Sequence, residues 1–207
     1  MKETSCGSVL NVAHAFIASI PCEFDYKIST VWRNNEIAAV KSSKVKREKA
    51  FAWALLEYAV KKVFGKDIEE FSPKKDESGK IIADEIFMSI SHSGNYALAV
   101  VAEKKVGGDI EEKKVKDFAR LVEKIATESE KKLFSEEKDK KTCFYKLWTA
   151  KEAVYKQSDE KVFAPDKTEV GGNNIDYFIT ENFVAAVAFD GKTQFNFLRC
   201  ENGKFFE

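Results

Sequence analysis

The run Ala97-Leu98-Ala99-Val100-Val101-Ala102 constrains the fold of this chain most. Six apolar residues with no polar alternation predict a strand buried on both faces rather than one with a wet side. The run has a counterpart downstream. Asn95-Tyr96-Ala97-Leu98-Ala99-Val100-Val101-Ala102 parallels Asn182-Phe183-Val184-Ala185-Ala186-Val187-Ala188-Phe189, with an aromatic residue after Asn and Ala-Val at the same offset. A repeat of this kind predicts a duplicated chain, two helix-plus-sheet halves facing each other with a ligand cleft between them.

The elements expected around the two runs follow the same order. In the first half, Val9 to Ile20 reads as an opening strand and Thr30 to Ala39 as a second extended stretch. Ser42 and Ser43 are N-cap candidates and Gly65 a stop, framing a helix from about Lys44 to Phe64. A charged, turn-rich segment from Ser72 to Lys80 precedes short strands at Ile81-Ile82 and Ile86 to Ile90, and Ser89 to Gly94 reads as a polar turn before the buried run. In the second half, a helical pattern from Asp117 to Ile125 leads to a capping box at Thr127-x-x-Glu130, a long helix from about Asp139 to Gln157, and further strands. The expected fold class is α+β, with an N-terminal lobe over residues 1–104 and a C-terminal lobe over 105–207 in one compact unit.

Composition narrows the function classes. With 207 residues and 44% hydrophobic content the chain can bury an ordinary core. Thirty-four basic residues balance thirty-four acidic ones, so no net field favours nucleic acid or an acidic membrane, and anion recognition has to be local. Cys6, Cys22, Cys143 and Cys200 are scattered without metal-ligand spacing and read as reduced thiols. No segment is long enough to span a membrane, and Asn11 and His14 interrupt the only leader-like stretch. A cytoplasmic monomer is expected.

Two segments carry the chemistry. In Gly107-Gly108-Asp109-Ile110-Glu111, the two acids leave the same face of an extended strand, roughly 7 Å apart along it, which suits a shared hard cation. The glycines would bring the backbone close to a ligand and leave amides uncovered for phosphate. In Leu147-Trp148-Thr149-Ala150-Lys151-Glu152-Ala153-Val154-Tyr155-Lys156, helical spacing puts Glu152 and Lys156 one turn apart on one face. A third carboxylate and a phosphate-binding ammonium then stand together, a set that suits Mg²⁺ and a pyrophosphate. His92 sits among the hydroxyls of Ser91 and Ser93. Lys44, Lys46, Arg47 and Lys49 crowd the start of the first long helix, where the macrodipole disfavours cations, and so suggest an anion there.

These segments resemble the 4′-phosphopantetheinyl transferase superfamily, in its two-lobed, single-chain group that includes the surfactin-synthetase activator. Gly107, Asp109 and Glu111 match the family's Gly-x-Asp-x-Glu run, and Trp148, Lys151, Glu152, Ala153 and Lys156 its Trp-x-x-Lys-Glu-Ala/Ser-x-x-x-Lys run. Ser91-His92-Ser93, Gly79-Lys80 and Val45-Lys46-Arg47-Glu48-Lys49 extend the likeness over roughly residues 40 to 160. Two positions depart from it: Gly108 replaces the family's aliphatic residue and Ile81 its proline. The resemblance implies an enzyme of the holo-[acyl-carrier-protein] synthase type. It would move the phosphopantetheine arm of coenzyme A to a serine of an apo acyl or peptidyl carrier protein and release 3′,5′-ADP. It further implies Asp109, Glu111 and Glu152 as Mg²⁺ ligands, with Glu152, Lys156 and Asp109 as the catalytic set. Lys44, Arg47, Lys80, Ser91, His92, Lys151 and Lys156 would bind coenzyme A. The base that takes the serine proton is Glu152 or a metal-bound water. The competing reading is a non-catalytic module that grips coenzyme A or a carrier protein.

Overall fold

The computed structural model describes residues 11–24, 26 and 28–207. Among the described residues, ten strands and five α-helices are found, and the two larger sheets stack with a long helix on each outer face. β1 (Val12–Ser19) is followed by α1 (Val31–Ala38) and α2 (Ser43–Phe64), then by the short hairpin β2 (Lys74–Lys75) and β3 (Ile81–Ile82), and by β4 (Phe87–Ser93) and β5 (Tyr96–Ala102). β6 (Val106–Glu112), α3 (Phe118–Ile125), α4 (Glu128–Glu136), α5 (Lys140–Gln157), β7 (Ile175–Ile179), β8 (Phe183–Phe189), β9 (Lys192–Glu201) and β10 (Lys204–Phe206) complete the chain. The fold is α+β.

The repeated runs become the two central strands. β5 lies between β1 and β4, and β8 between β6 and β7, every pairing antiparallel. A long helix covers each: α2 packs on β5 and α5 on β8. Alternation then divides each strand between two cores. Ala97, Ala99 and Val101 face Phe51, Trp53 and Leu55 of α2, while Leu98, Val100 and Ala102 meet Ala185, Val187 and Phe189 of β8 between the sheets. The first sheet runs β10-β9-β1-β5-β4, because β9 pairs in parallel with β1. The last two strands thus complete the sheet of the first half.

Local signals set the helix ends. Ser42 accepts a hydrogen bond from Val45 N–H to start α2, and Gly65 stops it at φ 71°, a left-handed conformation that glycine takes without steric cost. Asp139 caps α5 through Thr142 N–H, and the capping box of Thr127 and Glu130 starts α4. Two expectations are corrected. Residues 31–38 are helical rather than extended: Val31 and Trp32 have strand preference, but the burial of Arg33 and Ile37 one turn apart against α2 overrides it. Ser89 to Ser93 belong to β4, and only Gly94 and Asn95 turn.

Among the described residues, Cys22, Cys143 and Cys200 are free thiols, and no helix is long and apolar enough to cross a membrane. Cys6 lies outside the described residues.

Candidate functional site

The site forms where the edges of the two sheets meet. β4 borders the first sheet and β6 the second, and α5 lies across β6. Gly107 allows this approach: a Cβ there would stand 1.9 Å from Ala153 O and 2.5 Å from Gln157 N. The glycine amides are therefore not open to a ligand. Gly107 faces α5, and Gly108 N–H donates to Ser89 Oγ at 3.0 Å. Gly108 also has a packing reason, since a Cβ on it would meet Val100 Cγ2 at 2.6 Å and Leu98 Cδ2 at 3.1 Å. Those two side chains fill the space that an aliphatic residue would need.

Close packing of α5 on β6 gathers the acids. Asp109 is 4% exposed, and its Oδ1 accepts hydrogen bonds from Ser91 Oγ at 2.6 Å and Lys156 Nζ at 2.7 Å. Its Oδ2 is buried with no partner. Glu111 Oε2 accepts from Ser93 Oγ at 2.7 Å. Burial pushes the Glu111 carboxyl above its ordinary range; Ser93 opposes this and the charge of Asp109 adds to it. Glu152 is raised chiefly by burial, with Lys156 pulling it down and Asp109 and Glu111 pushing it up. Lys156 Nζ stands 4.0 Å from Glu152.

An orphaned buried carboxylate oxygen beside two acids destabilised by burial and mutual repulsion fits a hard divalent cation. Among the described residues, no three or more His, Cys, Asp or Glu side chains stand close enough together to hold a metal ion as placed. Lys156 is a positive charge within reach of both Asp109 and Glu152.

Beside the acids, on the α2 side of β4, His92 opens onto a hollow of about 280 Å³ lined by Arg33, Lys49, Trp53, Lys75, Gly79 and Ser91 among others. His92 Nδ1 is 3.8 Å from Glu48 Oε2. Burial lowers the imidazole pKa; Glu48 opposes this, and the charges of Lys49, Arg33 and Lys156 reinforce it. Arg33 is 4% exposed. It pairs with Glu36, lies 5.2 Å from the Trp53 ring centroid, and leaves its Nε buried without a partner. Lys75, carried by the β2–β3 hairpin, reaches the same Glu36.

Four residues expected at the coenzyme are engaged by groups of the chain itself. Lys44 is exposed and pairs with Glu48 at 3.8 Å. Arg47 donates to Cys22 O at 2.7 Å and so ties α2 to the segment after β1. Lys80 donates to Ser158 O at 2.8 Å and Glu160 O at 2.7 Å, with its ammonium 4.1 Å from the Tyr155 ring centroid, clasping the hairpin to the end of α5. Lys151 is fully buried and pairs with Glu130 Oε2 at 2.7 Å. It donates to Thr168 O as well. One residue's step along α5 turns Lys151 away from the face of Glu152 and Lys156. Ser91 and Lys156 do meet Asp109, while His92 lies on the α2 side of β4 and faces Glu48. Sequence reading missed Arg33 because it placed residues 30 to 39 in a strand, and Lys75 because a turn-rich lysine carries no pattern of its own.

Residues 105–187 match the sequence model of the 4′-phosphopantetheinyl transferase superfamily. Over 110 residues the chain is 33% identical to a Haemophilus influenzae protein named "Putative 4′-phosphopantetheinyl transferase", a stretch covering 49% of this chain and 47% of that protein. The chain thus spans about half the length of the relative it matches. The matched segment holds Asp109, Glu111, Glu152 and Lys156.

Proposed function

We propose that the protein transfers the phosphopantetheine arm of coenzyme A to a serine hydroxyl of an apo acyl or peptidyl carrier protein, with Mg²⁺, as a two-lobed enzyme of the surfactin-synthetase-activator group. The observation that carries the reading is that Lys156 of α5 stands between Asp109 of β6 and Glu152, with Glu111 two residues along β6, next to the cationic hollow at His92.

Asp109, Glu111 and Glu152 would hold the ion, which supplies charge neutralisation at the pyrophosphate. Lys156 adds a positive charge that can pass from Asp109 to a phosphate oxygen. The carrier serine oxygen bonds to the β-phosphorus of coenzyme A as the bond from that phosphorus to the bridging oxygen breaks. The products are phosphopantetheinyl-serine and 3′,5′-ADP. The serine proton goes to Glu152, directly or through a water. For the 3′-phosphate, the hollow of Arg33, Lys49, Lys75 and His92 is a better receptor than Lys44 or Arg47. Its cations surround a concave space, whereas Lys44 is exposed and Arg47 is tied to backbone.

Incubation with coenzyme A, Mg²⁺ and an apo carrier protein should raise the carrier's mass by one phosphopantetheine arm, and Glu152→Gln should abolish the gain. Tight retention of coenzyme A with no mass gain in the wild type would replace the enzyme reading with that of a binding module.

A further inference from the structure

We propose that Ser93, together with Ser89, is a positioning residue for the cation-binding acids, acting through a ladder of hydroxyls that fixes β6 against β4. The proposal rests on the reading of Asp109, Glu111 and Glu152 as a divalent-cation site.

β4 and β6 border different sheets, and the backbone partner of β6 is β8. Their contact is made by side chains instead. Strand alternation puts Ser89, Ser91 and Ser93 on one face of β4. Ser89 Oγ accepts Gly108 N–H at 3.0 Å and stands 3.3 Å from Gly108 O. Ser91 Oγ donates to Asp109 Oδ1 at 2.6 Å, and Ser93 Oγ to Glu111 Oε2 at 2.7 Å. Each hydroxyl meets β6 at or beside a residue of the Gly-Asp-x-Glu run. The two-residue step from Ser91 to Ser93 is matched by the step from Asp109 to Glu111, and Ser89 holds the backbone of Gly108 beside them, which makes this a register lock between the two halves of the fold.

The chemistry of the donors matters. A hydroxyl holds one carboxylate oxygen without cancelling the charge, so the acid stays fully available to a cation, whereas an ammonium in the same place would compete with it. Freezing a glutamate side chain costs up to roughly 2 kcal/mol of rotamer entropy. Ser93 exacts that cost from Glu111 during folding rather than at cation binding. This is the relation that outer hydrogen bonds have to metal ligands generally, where their loss costs about 10–100-fold in affinity.

The test compares Ser93→Thr, which keeps the hydroxyl, with Ser93→Val, which has the same shape without it, and uses Mn²⁺ titration calorimetry on the full chain without coenzyme A. Ser93→Thr should bind Mn²⁺ within about twofold of wild type, and Ser93→Val about tenfold or more weakly. In carrier modification, Ser93→Val should raise the Mg²⁺ requirement while the rate at saturating Mg²⁺ stays near that of wild type. Equal Mn²⁺ affinity in the two variants, with wild-type binding intact and lost in Asp109→Ala, would overturn the role of the hydroxyl and leave the acid site standing. Absence of Mn²⁺ binding by the wild type would overturn the acid site, and this inference with it. If Ser93→Val does not fold, Ser93→Ala replaces it with the same expected loss.

Discussion

The Lys156 ammonium lies 2.7 Å from Asp109 Oδ1, joining the end of α5 to the middle of β6. Asp109 keeps a second oxygen buried with no partner, so the carboxylate depends on Lys156 and Ser91 for its stability. Lys156→Met should lower the stability of the metal-free protein by about 2 kcal/mol, the worth of a charge-assisted hydrogen bond. Added Mg²⁺ should restore the melting temperature but not the transfer rate. Thermal melts in chelator and in Mg²⁺, run beside carrier modification, separate the two effects.

Arg33, Lys49 and Lys75 converge on the hollow beside His92. Arg33→Ala should weaken coenzyme A about tenfold, and dephospho-coenzyme A, which lacks the 3′-phosphate, hardly at all. Lys44→Ala should leave both affinities unchanged. Binding isotherms with the two ligands decide; equal losses for both would move the 3′-phosphate elsewhere.

Lys151 and Glu130 form a buried ion pair on the side of α5 away from the acids. Glu130→Ala strands a fully buried ammonium and should cost about 3–5 kcal/mol of stability. Urea unfolding reports the loss, and the affinity of the folded fraction for coenzyme A should not change.

Glu57 Oε1 accepts from Ser29 N–H at 3.0 Å, Ser29 Oγ at 2.9 Å and Trp53 Nε1 at 3.1 Å. Burial nonetheless raises its pKa above the ordinary range. A carboxyl whose folded pKa is raised contributes stability in its protonated form, in full below its unfolded pKa, and loses it as pH rises through the folded value. Glu57→Gln keeps the accepting oxygen and removes the charge. It should therefore melt about 2–4 °C above wild type at pH 7, on the order of 1 kcal/mol. The gap should close on acidification toward pH 4, as melts across that range will register.

Gly107→Ala would push a methyl group into Ala153 O. The shift of α5 off β6 should cost about 3 kcal/mol. It should also slow transfer more than it weakens coenzyme A, because Glu152 moves relative to Asp109 while the hollow at Arg33 does not. Parallel turnover and binding measurements distinguish this from simple unfolding.

Where the signal was local, the sequence was legible. Ser42, Gly65, Asp139 and the Thr127–Glu130 box each act within four residues of themselves, and the helices end where those residues predict. The apolar runs of β5 and β8 were equally clear, because burial on both faces leaves no room for a polar residue. Non-local burial was harder to read. Residues 31–38 are helical through packing on α2, and the serines of β4 acquire their role from a strand in the other sheet. Lys151 and Lys156 look alike as members of a helical motif, yet Glu130 claims one and Asp109 the other.

Asn196 Nδ2 donates to Ala15 O across 181 positions of chain, where β9 runs beside β1. Closing so long a loop carries an entropic cost that only late contacts repay. The first sheet, and with it the edge that holds the serine ladder, therefore cannot be finished until the second half has been made. On the ribosome, residues 12–19 would wait with one edge unpaired through the synthesis of nearly the whole domain, a period of exposure to mispairing that chaperones would have to cover.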